Sequence, residues 1–212
     1  MSAAAHPLPE EPAPLGSRPK LELVGRSPAV DLDRAERAVT ELLAALGQDP
    51  TSEELAETPR RVAASYAELL TPASFTLTSF PNDEGYDELV LARAIPFASL
   101  CQHHLLPFTG LAHVGYLPAG RILGLSKLAR VIELFARRLQ LQERLTTHVA
   151  DRLQTHLQPK GVGVVLEAEH LCMTLRGVQA TGARTVTSAL HGLLRSDPSS
   201  RQEFLALTRT AT

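Results

Sequence analysis

The stretch Cys101-Gln102-His103-His104 gathers one thiol and two imidazoles into four consecutive residues. The other cysteine of the chain, Cys172, lies far downstream, with His170 two places before it. Cys101 and His104, three residues apart, can meet one ion from a turn, and Cys172 would bring a third ligand from a strand. Three protein ligands leave a fourth tetrahedral position open to water, the arrangement of a catalytic rather than a structural zinc. Thiolate and imidazole donors favour zinc over magnesium or calcium. If 168–174 is extended, His170 and Cys172 point to the same face, so that His170 sits near the metal without ligating it. The spacing alone also admits two inert buried thiols and a solvated histidine pair. His6, His113, His148, His156 and His191 carry no pattern and read as structural or surface residues.

A second group could handle an anion. Ser126-Lys127-Leu128-Ala129-Arg130 opens a helix, with Lys127 and Arg130 on one face and the helix N-terminus offering free amides to phosphate. On the same extended reading, Arg176 alternates onto the side of His170 and Cys172. Three cations around one pocket would suit a triphosphate; a solvated basic face is the alternative. Gln142-Glu143-Arg144 begins a further helix. A carboxylate there can accept two hydrogen bonds from the N1 and exocyclic amine edge of guanine, or can simply complement the helix dipole.

The elements that must position these residues follow from periodicity and breakers. Residues 1–30 carry Pro7, Pro9, Pro12, Pro14, Pro19 and Pro28 among Ala, Gly and Ser, a composition that reads as a disordered tail. The folded part is expected from 31 to 212, with N-terminal helices over 31–70 and a catalytic part over 87–212. Asp31 caps a helix with Ala35, Val39, Leu42, Leu43 and Leu46 on its apolar face, stopped by Gly47. Thr51 and Glu54 have capping-box spacing before a short helix, and Thr58-Pro59 reads as cap and first-turn proline of a helix through Leu70. Glu88 to Phe97 and Leu111 to Tyr116 read as strands. Ser126 caps a helix turning Leu128, Val131, Ile132, Phe135 and Leu139 inward. A helix over about 142–157 follows, then strands at 161–170, 171–177 and 184–188, and a final short helix from a Ser200 cap. Helices and antiparallel-looking strands in blocks indicate an α+β fold.

The bulk properties exclude several classes. The 212 residues are 44% hydrophobic with a formal net charge of −2, enough for a core and without a global pull toward nucleic acid or membrane. No apolar run approaches the ~20 residues of a membrane helix, and the N-terminus lacks an apolar signal-peptide centre, so a cytoplasmic location is expected. Two cysteines offer no disulfide framework.

Taken together, these segments resemble GTP cyclohydrolase I. The resemblance is carried by Cys101 to Phe108 (CQHHLLPF), Gly124 to Arg130 (GLSKLAR), Arg137 to Thr146 (RRLQLQERLT), Glu167 to Met173 (EAEHLCM) and Arg176 to Gln179 (RGVQ). It continues through Thr185 to Ser188 and Arg201 to Leu205, with weaker similarity at Thr58 to Val62. The resemblance implies the tunnelling fold, in which antiparallel strands of several subunits close a barrel with helices outside, and a homodecamer of two stacked pentamers with active sites between subunits. It implies Zn2+ bound by Cys101, His104 and Cys172, acid–base roles for His103 and His170, and a guanine anchor at Glu143 beside Gln142. Ribose and triphosphate contacts would come from Ser126, Lys127, Arg130 and Arg176.

The implied reaction hydrolyses GTP to 7,8-dihydroneopterin triphosphate and formate, the first step of tetrahydrofolate and pterin synthesis. Water activated by zinc adds to C8 of the guanine, a histidine protonates the departing ring nitrogen, and C8 leaves as formate. The ribose then opens, rearranges and recloses as the pterin ring, while the triphosphate serves as a handle. One departure stands out: the family usually has Glu between the first Cys and the His pair, and this chain has Gln102, which loses a charge and gains a donor. Ala180-Thr181-Gly182-Ala183-Arg184 also departs from a usual Lys-Pro-Gly-Ser-type loop. Gln102 motivates one rival, an enzyme that stops at the ring-opened formamide. A non-catalytic nucleotide-binding subunit is a rival of another class; it would bind GTP and release no formate.

Overall fold

The computed structural model describes residues 29–209 and, by backbone alone, Glu22–Leu23. The proline-rich tail therefore lies almost wholly outside the described residues. Within it, β1 (Glu22–Leu23) pairs antiparallel with β2 (Phe75–Thr76). Two helices come first among the fully described residues, α1 (Leu32–Ala45) and α2 (Thr58–Leu70). Asp31 caps α1 as expected, its carboxylate accepting from the Arg34 amide at 2.9 Å. The helix expected from Thr51 does not form. Asp49 accepts from both the amide and the hydroxyl of Thr51, at 2.9 and 2.7 Å, and this Asx-type turn takes the bonds a capping box would have used. The cap of α2 is Glu57, one residue before the expected Thr58.

The core is a five-stranded sheet in the order β7-β4-β5-β8-β9, built from β4 (Val90–Cys101), β5 (Pro107–Leu117), β7 (Leu139–Gln140), β8 (Gly161–His170) and β9 (Thr185–Gly192). All pairs are antiparallel except β4 with β7. A separate ribbon pairs β3 (Ser79–Pro81) with β6 (Arg121–Leu123). The helices α3 (Ser126–Ala136) and α4 (Gln142–Leu157) cover one face of the sheet. Along β5 and β8 the alternate residues Phe108, Ala112, Val114, Val162, Val164, Leu166 and Ala168 point into this layer and are buried against Leu128, Ile132, Leu145 and Leu153. The helical turns α5 (Leu171–Thr174) and α6 (Leu193–Ser196) and the helix α7 (Pro198–Thr208) complete the chain. Phe204 of α7, fully buried, packs with Leu117, Val165 and Leu194 on the opposite sheet face. The mixed α+β class read from the sequence is thus the observed one.

Four expectations about these elements change. Ser126 is the first residue of α3 and not its cap; Leu125 stands at the cap position and makes no side-chain bond. α3 ends at Ala136, so Leu139 does not continue its buried face but lies 40% exposed in β7. The break is fixed by Ser99 of β4, whose hydroxyl donates to the Ala136 carbonyl at 2.6 Å and reaches that of Arg138 at 3.3 Å. Residues 171–177 are not a strand: β8 stops at His170 and the chain turns helically through α5. The same-face argument for Cys172 and Arg176 lapses with it. Finally, Asp197 rather than Ser200 caps the last helix, accepting from the Ser200 amide at 2.8 Å.

Two outcomes follow from this packing. A Cβ built on Gly163 would stand 2.6 Å from the Phe204 ring, so Gly163→Ala should cost about 1–3 kcal/mol through overpacking, read as a lower melting temperature. His113, 2% exposed, has its Nδ1 buried without a hydrogen-bond partner among the described residues. Burial, then the Arg93 charge, hold its pKa below the usual 6.5, with Glu167 opposing. Acid therefore favours the unfolded chain: the stability this neutral imidazole contributes is complete above the unfolded value and declines as pH falls through it toward the lower folded value. The melting temperature should drop between about pH 7.5 and 5.5, and less steeply in His113→Phe.

Candidate metal and nucleotide site

The tight connection between β4 and β5 holds the first cluster. The Leu106 carbonyl accepts from the Cys101 amide at 2.9 Å, and the Cys101 carbonyl accepts from the amides of His104 and Leu105. Leu105 takes a positive φ of 55° to close the loop, and Tyr66 of α2 donates to its carbonyl at 3.1 Å. The result brings the donor atoms of Cys101, His103 and His104 within 4.8 Å of one another, with the thiol buried and both imidazoles exposed. Cys101 Sγ lies 3.8 Å from His104 Nδ1. Two ligands of one tetrahedral zinc, at about 2.3 Å for sulfur and 2.0–2.1 Å for nitrogen, stand about 3.6 Å apart, so this pair is already spaced for a shared ion.

Cys172 reaches the same place from α5. Both cysteines are free thiols, and they face each other closely enough to interact. Burial, then the neighbouring Cys101 thiol, push the Cys172 pKa up, while Arg176 acts in the opposite direction. Two adjacent sulfurs in a partly buried site can both be thiolates only with a cation between them. The donor chemistry therefore fits zinc. The tightest triple of the described residues is Cys101, His103 and His104, with Cys172 adjoining Cys101, so the geometry offers four donors from which the sequence reading selects three.

His170 ends β8 opposite Phe108, its register partner on β5. The two rings stack with centroids 4.5 Å apart and planes 3° from parallel. Its Nε2 lies 2.7 Å from Gln142 Oε1 at the start of α4. Burial lowers the His170 pKa, and the nearby Glu143 carboxylate partly raises it again. Glu143 itself is exposed in the first turn of α4, free to meet a ligand. Gln142 is not: it is 2% exposed, with both amide ends engaged inside the protein.

Sequence reasoning missed a group that holds the cluster to α4. Arg144 donates to Gln102 Oε1 at 2.7 Å, to Gln140 Oε1 at 2.9 Å and to the Leu139 carbonyl at 2.8 Å. Gln140 in turn donates to the Phe135 carbonyl. No spacing in the sequence pairs 102 with 144; the parallel β4–β7 rung Cys101↔Gln140 does so. The phosphate candidates divide. Arg176 is exposed and close enough to Cys172 to act on it electrostatically. Ser126 and Lys127 lie at the far end of α3, and Arg130 one turn further along it. That helix's last residue, Ala136, bonds to Ser99, two places before Cys101, and Ser126 is ten residues earlier, ~15 Å of helical rise away. One chain does not visibly gather Ser126 around the cluster. Lys127 Nζ rests 6.0 Å from the Phe75 ring centroid.

Residues 35–209 match the family described as GTP cyclohydrolase I. Among curated relatives named GTP cyclohydrolase 1, the protein of Thermoanaerobacter pseudethanolicus is 51% identical over 183 residues, covering 84% of this chain and 97% of its own. That of Streptomyces avermitilis is 53% identical over 184 residues, covering 84% and 90%. That of Aquifex aeolicus is 50% identical over 181 residues, covering 85% and 98%.

The Gln102–Arg144 contact generates a prediction. Gln102→Glu turns a neutral acceptor into an ion pair at the protein surface, which should raise stability by up to about 1 kcal/mol in low salt. The gain should shrink in 1 M salt, where screening acts within ~3 Å; melting curves at the two salt concentrations check it.

Proposed function

This chain belongs to the GTP cyclohydrolase I family, and on that premise we propose that Cys101, His104 and Cys172 hold a zinc ion at which GTP is opened. The activity is that of the family, the hydrolysis of GTP to 7,8-dihydroneopterin triphosphate and formate. The observation that carries the site assignment is the convergence, at one end of the sheet, of the 101–104 loop and the α5 turn, two segments far apart in sequence. Assigning Cys172 to the ion leaves His103 beside it as a proton carrier, and an open fourth position for water.

A zinc ion bound by these residues supplies a Lewis acid that activates water near neutral pH. The protein's own groups do the rest. His170, with a pKa depressed by burial, is mostly neutral at pH 7 and can accept a proton and return it to the guanine ring nitrogen as the C8 bond breaks. His103, exposed on the loop, is the second candidate for such transfers. Glu143, exposed in the first turn of α4, would accept from the guanine N1 and amine edge, holding the purine by the end opposite C8 so that the imidazole ring is turned toward the cluster. Arg176 takes a phosphate, using binding energy far from the reacting carbon to position it. Gln102 still binds Arg144, so the departure from the usual glutamate does not dismantle the loop.

The separation of Ser126, Lys127 and Arg130 from the cluster along α3 supports a site completed by a second copy of the chain. We take the assembly to be the homodecamer of the tunnelling fold, with the edge strands β7 and β9 available for closing a barrel. None of the described helices is long and apolar enough to cross a membrane; a cytoplasmic enzyme without nucleic-acid partners is part of the same proposal.

Cys172→Ser should lose zinc and formate release together, measured by metal analysis and formate assay of the same sample. Arg176→Ala should keep its zinc and raise KM for GTP by ~10-fold or more, the loss of a charge-assisted phosphate contact. Stoichiometric zinc in Cys172→Ser would contradict the ligand assignment.

A further inference from the structure

We infer that Gln142 is a positioning residue that fixes His170 in its Nε2–H tautomer, leaving Nδ1 as the one ring atom through which His170 exchanges protons with the substrate. The inference deepens the acid–base role proposed for His170 and rests on that reading. It also reassigns Gln142, which the sequence places among the substrate contacts.

Hydrogen-bond direction fixes the orientation of the Gln142 amide and, through it, the His170 tautomer. Gln142 Nε2 lies 2.9 Å from the Thr185 carbonyl and 3.2 Å from the Leu166 carbonyl. Carbonyl oxygens only accept, so the amide nitrogen must face them. The flipped amide would set Oε1 against two oxygens at those distances and leave the NH2 group facing His170. The hydroxyls close the remaining choice. Thr146 donates to the Gln142 carbonyl at 2.7 Å, which uses its only proton. The 2.6 Å contact between the two hydroxyls therefore runs from Thr187 to Thr146. Thr187, its proton spent, is a third acceptor beside Gln142 Nε2 at 3.1 Å and shares the two amide protons with the Thr185 and Leu166 carbonyls.

Every donor in this buried network thus points the same way, set by backbone carbonyls of β8 and β9. Among the described residues, the last acceptor, Gln142 Oε1, is met by His170 Nε2 at 2.7 Å. That nitrogen must carry a proton. Stacking on Phe108 holds the ring plane, and the bond to Gln142 Oε1 occupies Nε2. The neutral ring is then a base at Nδ1 alone. A wrongly protonated imidazole is a poor catalyst even when its position is intact.

The test reads the proton directly. Neutron diffraction from deuterated, zinc-loaded protein should place a deuteron on His170 Nε2, directed at Gln142; an Nε2 without one overturns the inference. This readout does not depend on turnover, so a protein that released no formate would refute the functional reading while leaving the tautomer measurable. In Gln142→Met, similar in shape but without the acceptor, kcat for formate release should fall at least ~10-fold with KM for GTP within about threefold and zinc content unchanged. A rise in KM with unchanged kcat would make Gln142 a substrate contact and overturn the inference. If the variant does not fold, the neutron result decides alone.

Discussion

Phe108 is paired across the sheet with Ser99 on one side and His170 on the other, and the placement of the 101–104 loop beside His170 follows from those two rungs. Antiparallel pairing of β4, β5 and β8 ends the strands at one level. The β4–β5 connection, with its thiol and imidazoles, and the end of β8, with His170, must then lie side by side. Because a strand's side chains alternate, a slip of one residue in either register would turn Phe108 away from the helical layer and His170 away from Gln142. The rung is also a contact: ring stacking on Phe108 sets the plane of the imidazole.

The helices supply what the sheet cannot. α4 begins beneath His170 and presents three successive residues with three distinct tasks. Gln142 turns inward to a buried amide network, Glu143 outward to solvent, and Arg144 sideways to the loop that carries Cys101. This division is what 100° steps around a helix produce from consecutive positions. It ties the loop, the end of β8 and the edge of β9 to one rigid element, so that the geometry of the cluster is held by structure well outside it.

Much of this was legible in the sequence because it is local. The Cys101–His104 pair, the limits of α4 and of β8, and the buried stripe of α3 follow from spacing and periodicity. The long motifs identified the family, and the observed match spans 35–209. What failed was tertiary. A short apolar run after His170 looks like a strand by composition, yet β8 has no partner to continue along, and the chain coils instead. The polar cap at Thr51 lost to a neighbouring Asp49, and Leu139, helical by period, was released when Ser99 took the last carbonyls of α3. Gln142 stands beside Glu143 in sequence, yet its side chain is buried against carbonyls about 24 and 43 residues away, which no local pattern reveals.

The central claim is that two thiolates and one imidazole, rather than one thiolate and two imidazoles, hold the ion. Zinc K-edge X-ray absorption of the native protein separates them directly, since sulfur scatters at about 2.3 Å and nitrogen at about 2.0–2.1 Å. Two sulfurs, one imidazole and one further light atom are the predicted shell. A shell with one sulfur and two imidazoles would contradict the account and place His103 among the ligands in place of Cys172.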